Sequence, residues 1–174
     1  MSSRENERLG PYRVLSALGT GATGRVYKAV LTEDHGELAA GATVALKVIH
    51  WHLLGDATLR KRFDREVQLG RTVRHPNVVR AFGAERTGDS EDGEYFLVME
   101  YVEGQNLRQL LEELGRLPEP LCRHIGLGVA QGLDAIHGAG AIHRDLKPEN
   151  VLITRDHTVK IMDLGVALLV DEGP

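Results

Sequence analysis

The sequence predicts an α+β fold in which a β-rich half, residues 1–101, precedes an α-rich half, residues 102–174. Two observations support this division. Short runs rich in β-branched residues dominate up to residue 101, whereas apolar positions recur with helical spacing after Gly104. A length of 174 residues with 42% hydrophobic content is enough for a core and excludes a wholly disordered chain.

Five strands and one helix are predicted in the first half, after a polar tail at 1–11. The first three strands read as an antiparallel meander, because short β-branched runs alternate with glycine-rich or polar turns. The helix, 57–73, has an apolar face that includes Leu59 and Phe63. The predicted strands span 12–18, 26–31, 44–50, 78–85 and 95–101.

The second half is predicted to contain two helices and two short strands. One helix begins at Asn106, and Gln109 stands three residues on, as in a capping box. A longer helix covers 121–137, where apolar residues keep helical spacing. Strands at 151–154 and 158–162 follow it.

Charge and cysteine content exclude several classes of protein. The balance of 21 basic and 25 acidic residues gives a net charge of −4, with no basic run for binding nucleic acid. The single cysteine, Cys122, excludes an intramolecular disulfide and fits a reducing compartment. No apolar run approaches the ~18–20 residues of a membrane span, and the charged N-terminus does not resemble a secretory signal. A cytoplasmic protein without a membrane segment is therefore predicted.

A glycine-rich segment carries the first functional pattern, Gly19-x-Gly21-x-x-Gly24. Alone this pattern fits a dinucleotide fingerprint, a kinase-type phosphate loop or a simple glycine-rich hairpin. A dinucleotide fingerprint must run into a helix, but the residues after Gly24 are typical of a strand. A strand–loop–strand flap lets backbone N–H groups approach phosphate oxygens, because no Cβ holds the backbone away.

Lys47 lies in the apolar strand 44–50, where an ammonium group is costly unless it meets an anion. Glu66, on the helix that follows, is the candidate partner. A lysine whose apolar stem lies along the sheet while its charge reaches water is the alternative.

The segment His143-Arg144-Asp145-Leu146-Lys147-Pro148-Glu149-Asn150 is the most specific motif, and Asp163-Leu164-Gly165 follows it. Phosphoryl transfer needs a carboxylate that receives the hydroxyl proton, together with hard oxygen ligands for Mg²⁺. Asp145, Asn150 and Asp163 are residues of these types.

Taken in this order, the motifs resemble those of eukaryotic-like (Hanks-type) serine/threonine protein kinases, in a bacterial style. The resemblance covers about residues 12–170, and Lys147 is similar to the serine/threonine subgroup. It implies a protein-kinase-like bilobal fold. The N-lobe, 12–101, would hold a five-stranded antiparallel sheet and one helix, and 102–174 would form an incomplete helical C-lobe.

The resemblance also implies roles for individual residues, with ATP and Mg²⁺ as cofactors and a Ser or Thr hydroxyl of a protein as acceptor. Lys47 would hold the α- and β-phosphates and be fixed by Glu66. Asp145 would be the catalytic base, and Lys147 would neutralise the γ-phosphate. Asn150 and Asp163 would bind Mg²⁺. The implied nucleotide-binding residues are Leu18, Gly19, Thr20, Gly21, Ala22, Thr23, Gly24, Val26, Ala45, Lys47, Met99, Glu100, Val102, Asn106 and Leu152.

Two departures from the family pattern bear on activity. Leu164 stands where the family has Phe, although both can fill an apolar slot. No Ala-Pro-Glu motif follows Gly165, so we expect a domain truncated after Asp-Leu-Gly with little activity by itself. The alternative is a pseudokinase-like interaction module that binds nucleotide without transferring phosphate, and a helix N-cap is the alternative role of Asn106.

Overall fold

The computed structural model describes residues 4–21, 24–49, 57–88, 93–164 and 168–169 of the chain. The chain forms two compact units. The first unit contains residues 1–61 and 81–101, and the second contains residues 62–80 and 102–174. None of the helices in the described ranges combines the length and hydropathy that a membrane crossing needs.

The first unit is built on a six-stranded antiparallel sheet with the order β1-β2-β3-β4-β6-β5. Strands β2, β3 and β4 are consecutive in the chain and adjacent in the sheet, which confirms the predicted meander. The prediction of five strands missed β1, in which Leu9 pairs with Tyr12 and is only 1% exposed. The predicted tail therefore contributes a strand and a core residue. The strands are β1 (Arg8–Leu9), β2 (Tyr12–Thr20), β3 (Gly24–Leu31), β4 (Thr43–Ile49), β5 (Ala81–Arg86) and β6 (Tyr95–Glu100).

The core of the first unit lies on one face of this sheet. Alternate residues of β4, namely Val44, Leu46 and Val48, point into that core, where they pack with Phe96 and Val98 of β6. Because side chains alternate along a strand, the residues between them point to the opposite face. That opposite face carries Lys47.

The second unit contains most of the helical structure. Its elements are the later part of α1 (Ala57–Thr72), β7 (Gly104–Asn106), α2 (Leu107–Leu114), α3 (Glu119–Gly138), β8 (Ala141–Ile142), a 3₁₀ turn (Pro148–Asn150), β9 (Val151–Thr154), β10 (Val159–Ile161) and β11 (Leu168–Leu169). Strands β10, β9 and β7 form one sheet, and β11 pairs with β8. The two predicted helices and the predicted strands at 151–154 and 158–162 are confirmed as α2, α3, β9 and β10, with α3 two residues longer at its start. The prediction of only two strands misses β7, β8 and β11.

The residues that connect α1 to β5 belong to the second unit because their apolar side chains pack there. Leu69, Val73 and Val78 form one buried cluster with residues of α3 and β10. The predicted strand at 78–85 consequently begins only at Ala81, and Val78 instead forms an isolated bridge with Ile161. The same cluster contains Leu164, which is 4% exposed and thus fills an apolar slot. The lobe limits of 12–101 and 102–174 stay a prediction.

Candidate active site

The glycine-rich segment forms the turn between β2 and β3. The backbone N–H of Gly21 donates to the carbonyl of Gly24 at 2.8 Å and closes this turn. A Cβ at Gly19 would meet nothing within 4 Å, and one at Gly21 would be 3.9 Å from its nearest neighbour. A Cβ at Gly24 would overlap the carbonyl of Val48 on β4. Packing of β3 on β4 therefore explains Gly24, whereas a Cβ at Gly19 or Gly21 would meet no close neighbour among the described residues. Ala22 and Thr23 lie outside the described residues.

Several predicted nucleotide-binding residues lie on one face of the first unit's sheet. Lys47 stands directly opposite Val26 on β3, and Ala45 stands opposite Met99 on β6. Residues directly opposite each other in an antiparallel pair share a face. This is the face of the sheet that points away from the core, and on it the ammonium group of Lys47 lies beside apolar side chains. Leu18 and Thr20, at the end of β2, are exposed.

Lys47 and Glu66 are the two buried charged side chains that the sequence predicts to be paired. Lys47 is 7% exposed and belongs to the first unit, while Glu66 is 6% exposed, lies on α1 and belongs to the second. Burial of a charge is costly without a partner, and both side chains make polar interactions. Their pairing with each other stays a prediction.

The segment between β8 and β9 contains a cluster of charged and polar side chains that are hydrogen-bonded to one another. Lys147 Nζ donates to Asp145 Oδ2 at 2.6 Å, and Asn150 Nδ2 donates to the same oxygen at 3.1 Å. Asn150 Nδ2 also donates to the backbone carbonyl of Asp145 at 2.8 Å, which closes the loop. Three predicted site residues are thus brought together around one carboxylate.

This arrangement shifts both ionisable groups toward their charged forms. The hydrogen bond from Lys147 holds the pKa of Asp145 below its ordinary value. The hydrogen bond with Asp145 raises the pKa of Lys147, and the charges of Asp163 and Glu149 act in the same direction. Near neutral pH the loop therefore presents an ionised carboxylate and an ammonium group in contact.

His143 holds this segment in place, a role that the motif did not reveal. The ring is only 1% exposed. Nδ1 accepts a hydrogen bond from the backbone N–H of Asp145 at 3.2 Å, so Nε2 carries the proton and donates to the carbonyl of Met162 at 3.1 Å. The histidine thereby links the loop of Asp145 to the residue before Asp163.

Asn150 and Asp163 provide donors that suit Mg²⁺. Asn150 is 5% exposed and uses Nδ2 for its hydrogen bonds. In the described part of the chain its Oδ1 accepts none, so a carbonyl oxygen is left for a cation. The backbone N–H of Met162 donates to the carbonyl of Asn150 at 2.9 Å, so the residue before Asp163 lies next to Asn150.

The described residues contain no group of three or more His, Cys, Asp or Glu side chains that could hold a metal ion. Mg²⁺ is usually bound by one or two protein oxygen ligands together with phosphate oxygens and water. One amide oxygen and one carboxylate therefore fit Mg²⁺ that arrives with a nucleotide, and they do not fit a metal held by protein ligands alone.

Two residues of this site have left-handed backbone conformations. Arg144 has φ of 65° and Asp163 has φ of 63°, values that non-glycine residues rarely adopt. Such conformations persist only where surrounding contacts enforce them, and they cluster at functional sites. Arg144 precedes Asp145 and Asp163 follows Met162, and the backbones of Asp145 and Met162 are both hydrogen-bonded to His143.

The remaining predicted residues lie in other positions. Glu100 ends β6 opposite Val44, and Val102 follows it in the second unit. Asn106 caps α2: its Oδ1 accepts from the backbone N–H of Gln109 at 2.8 Å, and the Gln109 side chain accepts from the backbone N–H of Asn106 at 2.9 Å. The predicted capping box is confirmed. Leu152 on β9 stands opposite Asn106 of β7.

A second ion pair, absent from the motif analysis, adjoins the loop. Arg108 Nε of α2 donates to Glu149 Oε1 at 3.0 Å, with both side chains close to half exposed. Such exposed pairs contribute little to stability. The pair connects α2 to the segment that carries Asp145.

Comparison with known proteins points to one family. The family described as "Protein kinase domain" matches residues 12–174. The chain is 41% identical over 165 residues to the serine/threonine-protein kinase pkn2 of Myxococcus xanthus, covering 93% of this chain and 19% of the relative. It is 37% identical over 170 residues to pkn3 of the same organism, covering 94% of this chain and 29% of the relative. It is 35% identical over 169 residues to the probable serine/threonine-protein kinase PknB of Bifidobacterium longum, covering 94% of this chain and 24% of the relative. The chain thus spans less than a third of the length of these relatives.

Proposed function

The chain belongs to the protein kinase family, as a bacterial Hanks-type domain, and on that premise we propose that it transfers the γ-phosphoryl group of Mg²⁺-ATP to a Ser or Thr hydroxyl of a protein. The names of the relatives support the serine/threonine class and a protein acceptor. We also propose a cytoplasmic location, where the single cysteine would stay reduced.

The observation that carries this proposal is the triad of Asp145, Lys147 and Asn150. Asp145 is ionised and held by two donors, so its carboxylate is oriented to accept a proton. In the proposed step the acceptor oxygen bonds to the γ-phosphorus, and the bond from that phosphorus to the β–γ bridging oxygen breaks. The hydroxyl proton passes to Asp145, and ADP leaves with the bridging oxygen.

Lys147 and the metal ligands would stabilise the charge on the phosphates. The ammonium group of Lys147 already lies at the carboxylate that would face the acceptor, so it can also contact a γ-phosphate oxygen. When bound, Mg²⁺ would supply positive charge that stabilises the phosphates. Asn150 Oδ1 and the carboxylate of Asp163 would hold it.

The sheet face of the first unit would bind the rest of the nucleotide. Val26 and Ala45 offer apolar contact for the adenine ring, and Lys47 offers a charge for the α- and β-phosphates. Backbone N–H groups near Gly19 and Gly21 would approach the phosphates, because these two residues carry no Cβ. We propose further that the carbonyl of Glu100 and the N–H of Val102 meet the adenine edge.

The experiment that tests this function follows labelled γ-phosphate from ATP to a serine- and threonine-containing protein acceptor. We expect weak transfer, equal for the wild-type chain and for Asp134→Asn, which replaces an exposed carboxylate on α3. Asp145→Asn should abolish transfer and leave ATP binding intact. Transfer that persists in Asp145→Asn would overturn the assignment of the base, and ATP binding without any transfer would support the interaction-module alternative.

A further inference from the structure

The segment between α1 and β5 is hydrogen-bonded to β10 through the side chain and backbone of Asn77 and through the backbone of Val79. Asn77 Nδ2 donates to the carbonyl of Val159 at 2.7 Å, and the backbone carbonyl of Asn77 accepts from the N–H of Ile161 at 2.8 Å. The backbone N–H of Asn77 donates to His75 Nδ1 at 3.2 Å. Val79 N–H then donates to the carbonyl of Ile161 at 2.8 Å. We call residues 75–79 the Asn77 clamp.

Two glycines of α3 make room for this clamp. A Cβ at Gly132 would be 2.6 Å from the carbonyl oxygen of Asn77 and 2.9 Å from Ile161 Cδ1. A Cβ at Gly128 would be 2.7 Å from Val159 Cβ and 3.3 Å from Asn77 Nδ2. Real Cβ atoms essentially never lie within 3.0 Å of such a neighbour, so a Cβ at either position would displace the clamp or β10. Glycine is less favourable than alanine inside a helix, and the room that the clamp needs is a packing reason for glycine at these two positions.

Strand β10 connects the clamp to the proposed metal site. The clamp contacts β10 along one edge, and β9 pairs with the other edge. Immediately after β10, the N–H and carbonyl of Met162 bond to Asn150 and His143, and Asp163 follows. The clamp therefore fixes the strand whose end sets the position of Asp163 relative to Asn150.

The clamp is also continuous with the helix that carries Glu66. Leu69 and Val73 of α1 share one buried cluster with Val78, Ile161 and Leu164. Displacing the clamp would thus disturb α1 and β10 together, because both are packed against the same segment.

We propose that Asn77 is a positioning residue for the metal site, and that Gly132 is required for it to act. This inference rests on the proposed function, because it assigns to Asn77 the alignment of Asp163 with Asn150. Asn77 is not one of the residues proposed to contact the nucleotide or the metal. It acts through β10 and Met162.

The test measures ATP affinity with and without saturating Mg²⁺ in the 174-residue chain, and the ratio of the two is the Mg²⁺ factor. Asn77→Asp is nearly isosteric and removes the donor to Val159, and Gly132→Ala introduces the clashing Cβ. We expect both variants to lower the Mg²⁺ factor by about threefold to thirtyfold, the range by which residues acting through packed networks change coupling. ATP affinity without Mg²⁺ should change little.

Two controls separate positioning from a loss of stability. Gly126→Ala adds a methyl group to the same helix where nothing lies within 4 Å, and it should leave the Mg²⁺ factor unchanged. Leu121→Ala weakens a different apolar cluster of the second unit, so it should lower stability and not the Mg²⁺ factor. Hydrogen exchange of the Val79 and Ile161 amides should accelerate in Asn77→Asp and Gly132→Ala only.

The outcomes distinguish the inference from the function on which it rests. A wild-type Mg²⁺ factor of one would overturn the proposed function and the inference with it. A large wild-type factor that Asn77→Asp and Gly132→Ala retain at the level of Gly126→Ala would overturn the inference alone. A loss of the factor equal to that in Leu121→Ala would also overturn it, because stability would then suffice as the cause.

Discussion

One oxygen of the Asp145 carboxylate accepts hydrogen bonds from two side chains that come from within the same short segment. Lys147 contributes a charge, whereas Asn150 contributes a neutral amide whose oxygen is left for a cation. The two donors orient the carboxylate and keep it ionised, and its charge in turn holds the ammonium group. Removing either donor should therefore change the ionisation or orientation of the base before it changes the fold.

The ionisation of Asp145 gives the first test. Because the hydrogen bond from Lys147 lowers the pKa of Asp145 from its ordinary value of 3.8, this carboxyl should titrate below that value in the folded protein. Its contribution to stability is present above the unfolded pKa and is lost as the pH falls through the folded pKa. Lys147→Met should raise the pKa of Asp145. NMR titration of the Asp145 carboxyl carbon measures this pKa in the wild type and in Lys147→Met. An unchanged pKa in Lys147→Met would contradict the hydrogen bond from Lys147 as the cause of the lowered value.

The glycines of the β2–β3 turn give a second residue-level test. Gly24→Ala should destabilise the chain by about 1–3 kcal/mol, because the added Cβ overlaps the Val48 carbonyl and β3 must shift from β4. Gly19→Ala should leave stability within about 0.5 kcal/mol, since its surroundings are open. Gly19→Ala should nevertheless weaken ATP binding. Denaturant unfolding and ATP titration of both variants check this, and equal stability losses would be inconsistent with the described packing.

At the scale of single elements, the length of an element decides how well the sequence predicts it. The capping box at Asn106 and the apolar spacing of α3 are local patterns, and both helices are found where predicted. Strand β1 has two residues, so it is too short for any alternation to be recognised. Val78 has the composition of a strand residue, yet it bridges to Ile161 because tertiary packing overrides local propensity.

The N-cap of α2 can be separated from a role in nucleotide binding. Asn106→Ala should cost about 1 kcal/mol of stability through loss of the bond to the Gln109 N–H. Asn106→Asp keeps an oxygen acceptor at the cap, so it should retain stability. If Asn106 also donates to the ribose, as the family resemblance implies, then Asn106→Asp should weaken ATP binding while stability is kept. Unfolding curves and ATP titrations of the two variants distinguish the roles.

The first unit's sheet contains a buried hydroxyl that ties β2 to β5. Tyr12 OH donates to Glu85 Oε1 at 2.7 Å, and His35 also contacts that oxygen at 3.2 Å. Burial and the bond to Glu85 raise the pKa of Tyr12, so the phenol stays protonated and remains a donor. Tyr12→Phe should lower the free energy of unfolding by about 1.5–3 kcal/mol, the usual value for a hydrogen bond to a charged group. Tyr95→Phe is the control, and an equal effect there would argue against this bond.

At the scale of the whole molecule, the chemical groups of the site could be predicted from sequence, but the contacts that position them could not. Lys47, Asp145 and Asp163 stand in motifs whose spacing is visible in one chain. His143, Asn77 and Gly132 act through residues far away in sequence, and no local pattern marks such contacts. His143 contacts the backbone of Met162, Asn77 contacts the backbone of β10, and Gly132 leaves room for the carbonyl of Asn77 and the side chain of Ile161.

We propose that this chain binds ATP together with Mg²⁺ held by Asn150 and Asp163. The most direct test is calorimetric titration of ATP with and without Mg²⁺ into the wild-type chain, Asp163→Asn and the control Asp134→Asn. We expect Mg²⁺ to strengthen ATP binding by the wild type and by Asp134→Asn, and to have no such effect on Asp163→Asn. Equal ATP affinities for all three proteins, unaffected by Mg²⁺, would contradict the proposed Mg²⁺ site.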